Sequence, residues 1–381
     1  MELYNNLLAL ANDDDSPFYM VEHVGPYDNA IYQVFSYHIA SYSDFCRPDA
    51  LECRGHMFRI EDNKPVLVSL PFPKFFNRNE NPFTMDLDFS NDNVDYIATK
   101  EDGSLITTYI DANGELRLKS KTSLSSTMAV DAMKLLPEIH VPFASHTLLD
   151  FCLALEEDGN TVIMEYVSPK NRIVLPYTEC DLIVLGVRNR ETMKMFSYDD
   201  IRSLSLDPYC AKNHIEDIGD TSKFVDDIRF MTGIEGFVIR LNSGKMVKCK
   251  TYEYVALHRA KDSVNSPRRL MEVVLQEASD DLRQMFSDDE QALKEIENME
   301  VYVTELVTHL LKPVEHFFND NKNLERKEYA IKGQKELRKD QFTLAMAKYS
   351  GKDIDYKEYI ARNYKEYLSN YVSTLDVVVD E

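Results

Sequence analysis

A lysine amine becomes a nucleophile only when neutral, and the segment DYIATKEDGSLITTYID, residues 95–111, sets one where a strand should end. Ile97, Ile106, Thr107, Thr108 and Tyr109 are β-type residues around a break of Lys100, Glu101, Asp102 and Gly103. Alternation along a strand places Lys100 on the face of Tyr96 and Ala98, and Gly103 permits a close turn into the next run, so the amine points from a rigid frame into a cleft. Further cations recur at strand spacing. Lys248 and Lys250 in GKMVKCK share one face while Val247 and Cys249 turn away, and in ELRLKSK Arg117 and Lys119 oppose Leu116 and Leu118. Glu165 in IMEYV, and Glu235 with Gly236 in GIEGFVI, sit among apolar neighbours. Each piece alone has an ordinary explanation: a charged turn, a solvated strand face, an exposed glutamate. Their joint order gives the lysine more weight than any piece does alone. A free lysine has a pKa of about 10.4, so a neutral amine at pH 7 costs roughly 4–5 kcal/mol, a cost that neighbouring cations reduce.

The positioning elements follow from pattern. Of 381 residues, 44% are hydrophobic, enough for a large core and two domains. Up to residue 255 short β-type runs recur (HMFRI, PVLVSL, LITTYI, TVIMEYVS, DLIVLGV, GFVIRL) between helical stretches. Asn113-Gly114 predicts a tight turn with two positive-φ residues, making 105–120 a hairpin. In SHTLLDFCLALEED, Ser145 can cap a helix with an apolar stripe of Leu148, Leu149, Cys152 and Leu155. Beyond 255 only long amphipathic patterns remain. The expectation is an α+β domain of antiparallel sheets and helices over 1–255, followed by an all-α domain over 256–381.

Six cysteines spread singly suit a reducing compartment, and no stretch reaches membrane-spanning length, so a cytoplasmic protein is expected. A net charge of −22 argues against indiscriminate binding to phosphate backbones, so any nucleic-acid contact must be local. One basic island, KNLERKEYAIKGQKELRKD at 322–340, could turn Lys332, Lys335, Arg338 and Lys339 toward phosphates on one helix side. The interleaved Glu325, Glu328 and Glu336 also allow a solvated, charge-paired helix.

In joint order, TKEDGSL, LKSK, the strand glutamate Glu165, EGFV and KCK, with FSYHIASYSDF, PDALECRGHMF and KFFNRNENPFTM ahead of them, resemble the covalent nucleotidyltransferases, and most closely the phage-type ATP-dependent RNA ligase 1 family. The resemblance covers nearly all of 1–255 and continues weakly at EASDDL. It implies an ATP-grasp-like ligase domain, adenylylation of a lysine by ATP to give a covalent AMP intermediate, transfer of AMP to an RNA 5′-phosphate and sealing by a 3′-OH, with Mg²⁺ assisting. By the same resemblance Lys100 is the nucleophile and Lys119 and Tyr254 are needed for sealing. Tyr37, Arg54, Lys74, Lys248 and Lys250 contact the nucleotide, Phe76 or its neighbour Phe75 packs near the adenosine, and Phe76 is the ring chosen. Glu165 accepts from the ribose, Glu235 holds metal or water near the phosphates, and Asp280 binds a divalent cation, although Asp280 and Asp281 also suit a solvated helix face. The implied partner is RNA with 5′-phosphate and 3′-OH ends, specifically a tRNA nicked in its anticodon loop, bound by a monomer away from membranes, in a host cytoplasm if the chain is of phage origin. A DNA ligase or capping guanylyltransferase shares the lysine chemistry but ordinarily appends an OB-type barrel, which the helical tail disfavours. A non-catalytic RNA-binding protein that keeps the pocket as a sensor is the third reading.

Overall fold

The computed structural model describes residues 2–13, 16–38, 40–140, 146–170, 172–276, 278–287, 289–351 and 356–375, leaving the side chains of Asp280 and Gln284 outside that description. The chain divides into two units, Met1–Val255 and Ala256–Glu381. The first holds three four-stranded sheets. One runs β1 (Phe18–Val24), β2 (Ile31–Tyr37), β3 (His56–Glu61), β4 (Lys64–Ser69), all antiparallel. Helix α1 (Glu2–Ala11) covers it with Leu7 and Leu10, which pack with Phe18, Phe35 and Phe58. The second has the order β5 (Phe76–Asn77), β12 (Met246–Lys250), β11 (Gly236–Leu241), β6 (Val94–Thr99), and the third β10 (Asp181–Asn189), β9 (Asn160–Val167), β7 (Ser104–Ile110), β8 (Leu116–Lys119). The expected antiparallel pairing holds everywhere but β5–β12, which is parallel. Between strands lie α2 (Tyr42–Phe45), α3 (Thr127–Leu135), α4 (Leu148–Glu157), α5 (Tyr198–Ser203) and α6 (Thr221–Asp227).

Two local expectations change. The β7–β8 hairpin forms, but its loop spans 111–115, and only Gly114 has positive φ, at 84°. A tight Asn-Gly turn is displaced because the Asp111 carboxylate accepts from the Asn113 and Glu115 amides, both at 2.9 Å, and fixes a wider loop. Helix α4 is capped by Thr147, in a reciprocal box with Asp150, while Ser145 lies outside the described residues. Leu148, Cys152 and Leu155 are buried as the stripe requires.

Among the described residues, only helices follow β12: α7 (Tyr252–Val264), α8 (Pro267–Leu275), α9 (Ser279–Met285), α10 (Glu290–Asn321), α11 (Arg326–Glu336), α12 (Lys339–Tyr349), α13 (Tyr356–Arg362) and α14 (Tyr364–Tyr367). None of them is long and apolar enough to cross a membrane. Along α10, Ala292, Ile296, Met299, Val303, Leu310, Val314 and Phe317 form the buried stripe of a helix that serves as the core of its unit. The basic island does not present one helix side. Lys332 and Lys335 lie on α11, the backbone is extended at Leu337 and Arg338, and Lys339 opens α12. The break follows from capping, since the Gln341 side chain accepts the Arg338 amide at 3.1 Å and starts a new helix there.

Gln341 has a second task. Pro313 sits inside α10 and cannot donate to the His309 carbonyl one turn back, a loss that costs a helix interior about 3 kcal/mol. The Gln341 side-chain amide donates to that carbonyl at 2.9 Å instead. Gln341→Leu should therefore cost about 1–3 kcal/mol, read from urea unfolding. In a Pro313→Ala background, where an amide is again available to His309, the cost should shrink by about 1 kcal/mol. Equal costs in both backgrounds would show that Gln341 acts only as the α12 cap.

Candidate active site

The charged break of the opening segment is almost fully consumed by hydrogen bonds. Lys100 directly follows β6, and its amide donates to the Gly236 carbonyl at 2.9 Å, continuing the β6–β11 pairing that sets Thr99 opposite Phe237. Asp102 is buried. Its Oδ2 accepts the Val174 and Leu175 amides, each at 2.8 Å, and its Oδ1 accepts the Tyr254 hydroxyl at 2.6 Å. Its own amide donates to the Tyr177 hydroxyl, which donates in turn to Glu101 at 2.9 Å. The Gly103 amide donates to Glu165 Oε1 at 3.0 Å. A Cβ at Gly103 would stand 2.3 Å from the Tyr166 carbonyl, so only glycine lets the loop lie this close to β9.

Lys100 Nζ is 2.8 Å from Glu235 Oε2, and Lys250 Nζ is 2.9 Å from Glu235 Oε1, so one buried carboxylate joins two lysines. Strand β12 supplies Lys248 and Lys250 on one face and buries Val247 and Cys249 on the other, and burial pushes the Cys249 thiol up to about 12. Gly236 is opposite Lys250 with φ of 143°, where a Cβ would meet the Cys249 carbonyl at 2.0 Å. Lys248 has its pKa pulled down to about 7, first by burial and then by the charges of Arg54, Lys74, Lys100 and Lys250. Burial also lifts the Glu165 carboxyl to about 7 against the opposing pull of Lys100, the Gly103 amide and Arg54. The Arg54 guanidinium is destabilised by burial against the opposing pull of Tyr37 and Glu165, and it has a buried Nη1 without a partner among the described residues. Arg54, Phe75, Lys100, Glu165, Val238 and Lys248 line a cavity of about 220 Å³. A donor without an acceptor and a lysine short of counter-charge, both facing one cavity, fit an anion.

The remaining sequence candidates are spread around this cluster. Lys74 Nζ lies over the rings of Tyr37, Phe45 and Phe76, at 5.4, 5.8 and 5.1 Å from their centroids. Of the two neighbouring rings, Phe75 lines the cavity and Phe76 does not. Phe76 pairs in register with the core-facing Val247, and its ring is buried between Phe45 and Phe83. Alternation then sends Phe75 to the cavity side, 4.8 Å from Lys248 Nζ. Lys119 does not line the cavity. It is fully buried, its pKa is pulled down to about 7 by that burial, and its ammonium donates to the carbonyls of Gly55 at 2.8 Å, Ser120 at 3.1 Å and Lys121 at 3.2 Å. It thereby fixes the turn after Arg54. Tyr254 stands under Lys250, whose Nζ is 4.9 Å from its ring centroid, and reaches Asp102. Asp280 lies on α9, with a side chain outside the described residues. Among the described residues no three His, Cys, Asp or Glu side chains are placed to hold a metal.

Sequence reasoning missed Asp102, Tyr177 and a clamp behind Arg54. Arg188 on β10 binds Glu52 through both nitrogens at 2.7 Å, and Glu52 also meets His56 at 2.8 Å. Burial alone pushes the Glu52 carboxyl up, but these two partners outweigh it and hold the group at about 2. The signal for Asp102 was present, an acid between the lysine and a glycine in an otherwise β-type run; Tyr177 and Arg188 carry none.

A family model described as RNA ligase matches residues 52–254, and a second, described as T4 RNA ligase 1, C-terminal domain, matches residues 261–374. RNA ligase 1 of Bacteriophage TS2126 is 27% identical over 227 residues, which take in 54% of this chain and 51% of that protein, so the match spans about half the length of this curated relative. A solved archaeal ATP-dependent RNA ligase superposes on 92% of this chain and 96% of that one, with 12% identity and a TM-score of 0.46. The first family model alone takes in more than half of the sequence and contains Arg54, Lys100, Glu165, Glu235, Lys248, Lys250 and Tyr254, and the chain belongs to the RNA ligase family.

Proposed function

We propose that the chain is an ATP-dependent RNA ligase that joins 5′-phosphate and 3′-OH ends of RNA through an adenylylated Lys100. The observation that carries this reading is the Glu235 carboxylate shared between Lys100 and Lys250 at 2.8 and 2.9 Å, beside a cavity where Lys248 has no ion-pair partner among the described residues. In the first step the Lys100 amine attacks the α-phosphorus. A nitrogen–phosphorus bond forms, the bond to the pyrophosphate oxygen breaks, and Glu235, already in hydrogen-bond contact with Nζ, is placed to take the departing proton. Arg54, Lys248 and Lys250 offset the charge that moves to the leaving pyrophosphate, acting on it in a site largely closed to water. Glu165 offers a carboxylate oxygen to the ribose hydroxyls, with its other contact, the Gly103 amide, anchoring the nucleophile loop. AMP then passes to the RNA 5′-phosphate, and attack by a 3′-OH releases it as the strand closes.

A divalent ion bound through the phosphates would add charge neutralisation there; Glu165 and Glu101 in the cavity lining and Glu235 beside it are carboxylates that would help hold it. Asp280 is proposed as a further ligand on family resemblance. The substrate proposed is a tRNA cleaved in its anticodon loop, bound by a monomer in the cytoplasm. The match of 261–374 to the ligase C-terminal domain and the basic residues at the α11–α12 junction support that choice, and the six free cysteines suit the compartment. Among the described residues an OB-type barrel is absent after β12, which favours an RNA ligase over DNA-joining or capping relatives.

Incubation with ATP labelled at the α-phosphate should leave denaturation-resistant label on the protein, none on Lys100→Ala and none from labelled GTP. Absence of label from the intact protein would refute the enzymatic reading, and preference for GTP would reassign it to capping chemistry. Binding of a non-cleavable ATP analogue should take up protons above about pH 7, where Lys248 is largely neutral until phosphate restores its charge, and the uptake should fade as pH drops below that value. Calorimetry in buffers of different ionisation enthalpy reads this directly, and uptake as large in Lys248→Met would assign it to another group. For the substrate, Lys335→Glu with Arg338→Glu should slow sealing of a cleaved anticodon loop at least several-fold and leave labelling by ATP unchanged; equal sealing would remove the helical junction from substrate recognition.

A further inference from the structure

Two strongly exposed aromatic residues of the first unit touch each other. Phe230 closes the 3-10 turn Ile228–Phe230 and is 66% exposed, and Tyr252 opens α7 and is 60% exposed. Their rings nonetheless meet edge to face with centroids 5.9 Å apart. An edge-to-face pair leaves ring faces open to a third π-system. Arg229 Cζ lies 4.8 Å from the Phe230 ring centroid. The acids nearest in sequence are engaged elsewhere. Asp226 pairs with Arg78 at 2.7 Å, Asp227 with Lys223, and Glu253 accepts the Gly233 amide at 2.6 Å. The positive charge of Arg229 therefore stays available in a chain whose net charge is −22.

The patch is also tied to the lysine cluster by short covalent and hydrogen-bonded links. The Thr251 amide donates to the Glu235 carbonyl at 3.0 Å and its hydroxyl to the Ile234 carbonyl at 3.1 Å, so Tyr252 is the second residue after Lys250 and is held beside the segment that carries Glu235. We propose that Phe230 and Tyr252 form a stacking platform for an unpaired base of the RNA strand being joined, with Arg229 on the adjoining phosphate. The inference rests on the RNA ligase reading. It supplies what an acidic chain needs in order to hold RNA, a local contact in which aromatic rings accept any base and one cation meets the backbone.

The sequence contains no tryptophan, so Phe230→Trp creates a single indole reporter. A short 5′-phosphorylated single-stranded RNA should quench its fluorescence and saturate at the concentration where the same RNA binds by fluorescence polarisation, while an abasic strand with equal phosphates should not quench. Phe230→Ala with Tyr252→Ala should weaken RNA binding about tenfold or more, whereas Phe230→Trp with Tyr252→Phe should retain it. ATP labelling of Lys100 should match wild type in all these variants. RNA binding that leaves the indole emission unchanged, or full affinity in the double alanine variant, would overturn the platform. Self-association abolished by the double alanine variant would assign the patch to a second copy of the chain and overturn it as well. Absence of Lys100 labelling in the unaltered protein would be the separate failure of the ligase reading.

Discussion

Positive charge crowded around one cavity is the constraint that organises this fold. Burial first, and then the charges of Arg54, Lys74, Lys100 and Lys250, hold Lys248 near 7, and Glu235, Glu165 and Glu101 are carboxylates set among these cations. Two like unit charges about 5 Å apart repel by about 3 kcal/mol at an effective dielectric of about 20. The arrangement is a poor one for an empty site and a good one for a polyanion. Its geometry must therefore be imposed from outside the cluster, by strands and buried polar nodes that do not relax when the ligand leaves.

Three such nodes are visible, each spanning distant sequence. Asp102 draws Val174, Leu175, Tyr177 and Tyr254 around the nucleophile loop. Lys119 spends its three ammonium protons on three carbonyls and pins the turn after Arg54. Arg188 reaches from β10 to Glu52, tying the third sheet to the segment ahead of Arg54. Removing one partner from such a node leaves a buried charge uncompensated, which typically costs 3–5 kcal/mol. These residues hold the cluster without entering the cavity.

What the sequence disclosed was whatever strand period and residue type encode locally. Lys100 at a strand end, the shared face of Lys248 and Lys250, and Glu165 amid apolar residues all follow from alternation, and the helical character after residue 255 follows from the wider apolar period. Failures occurred where parity was short or contacts were remote. Strand β5 is two residues long, too short to distinguish Phe75 from Phe76. The basic island was read as one helix because the Gln341 side chain that divides it also serves the His309 carbonyl on α10, a link that only tertiary structure creates. Tyr177 and Arg188 act across 75 and 136 residues, beyond any local pattern.

Glu235 joins the electrostatic constraint to the proposed chemistry. Its two oxygens are divided between the nucleophile and Lys250, so neither lysine can change partners without altering the other. Phosphate oxygens arriving at Lys250 compete with Glu235 for the same ammonium. The other oxygen of the carboxylate remains on Lys100 Nζ, where the proposed reaction needs a proton acceptor as the nitrogen–phosphorus bond forms. In the proposed reaction this couples the arrival of the phosphates to the placement of the proton acceptor, a role that a buried carboxylate between two lysines can serve and repulsion among cations cannot.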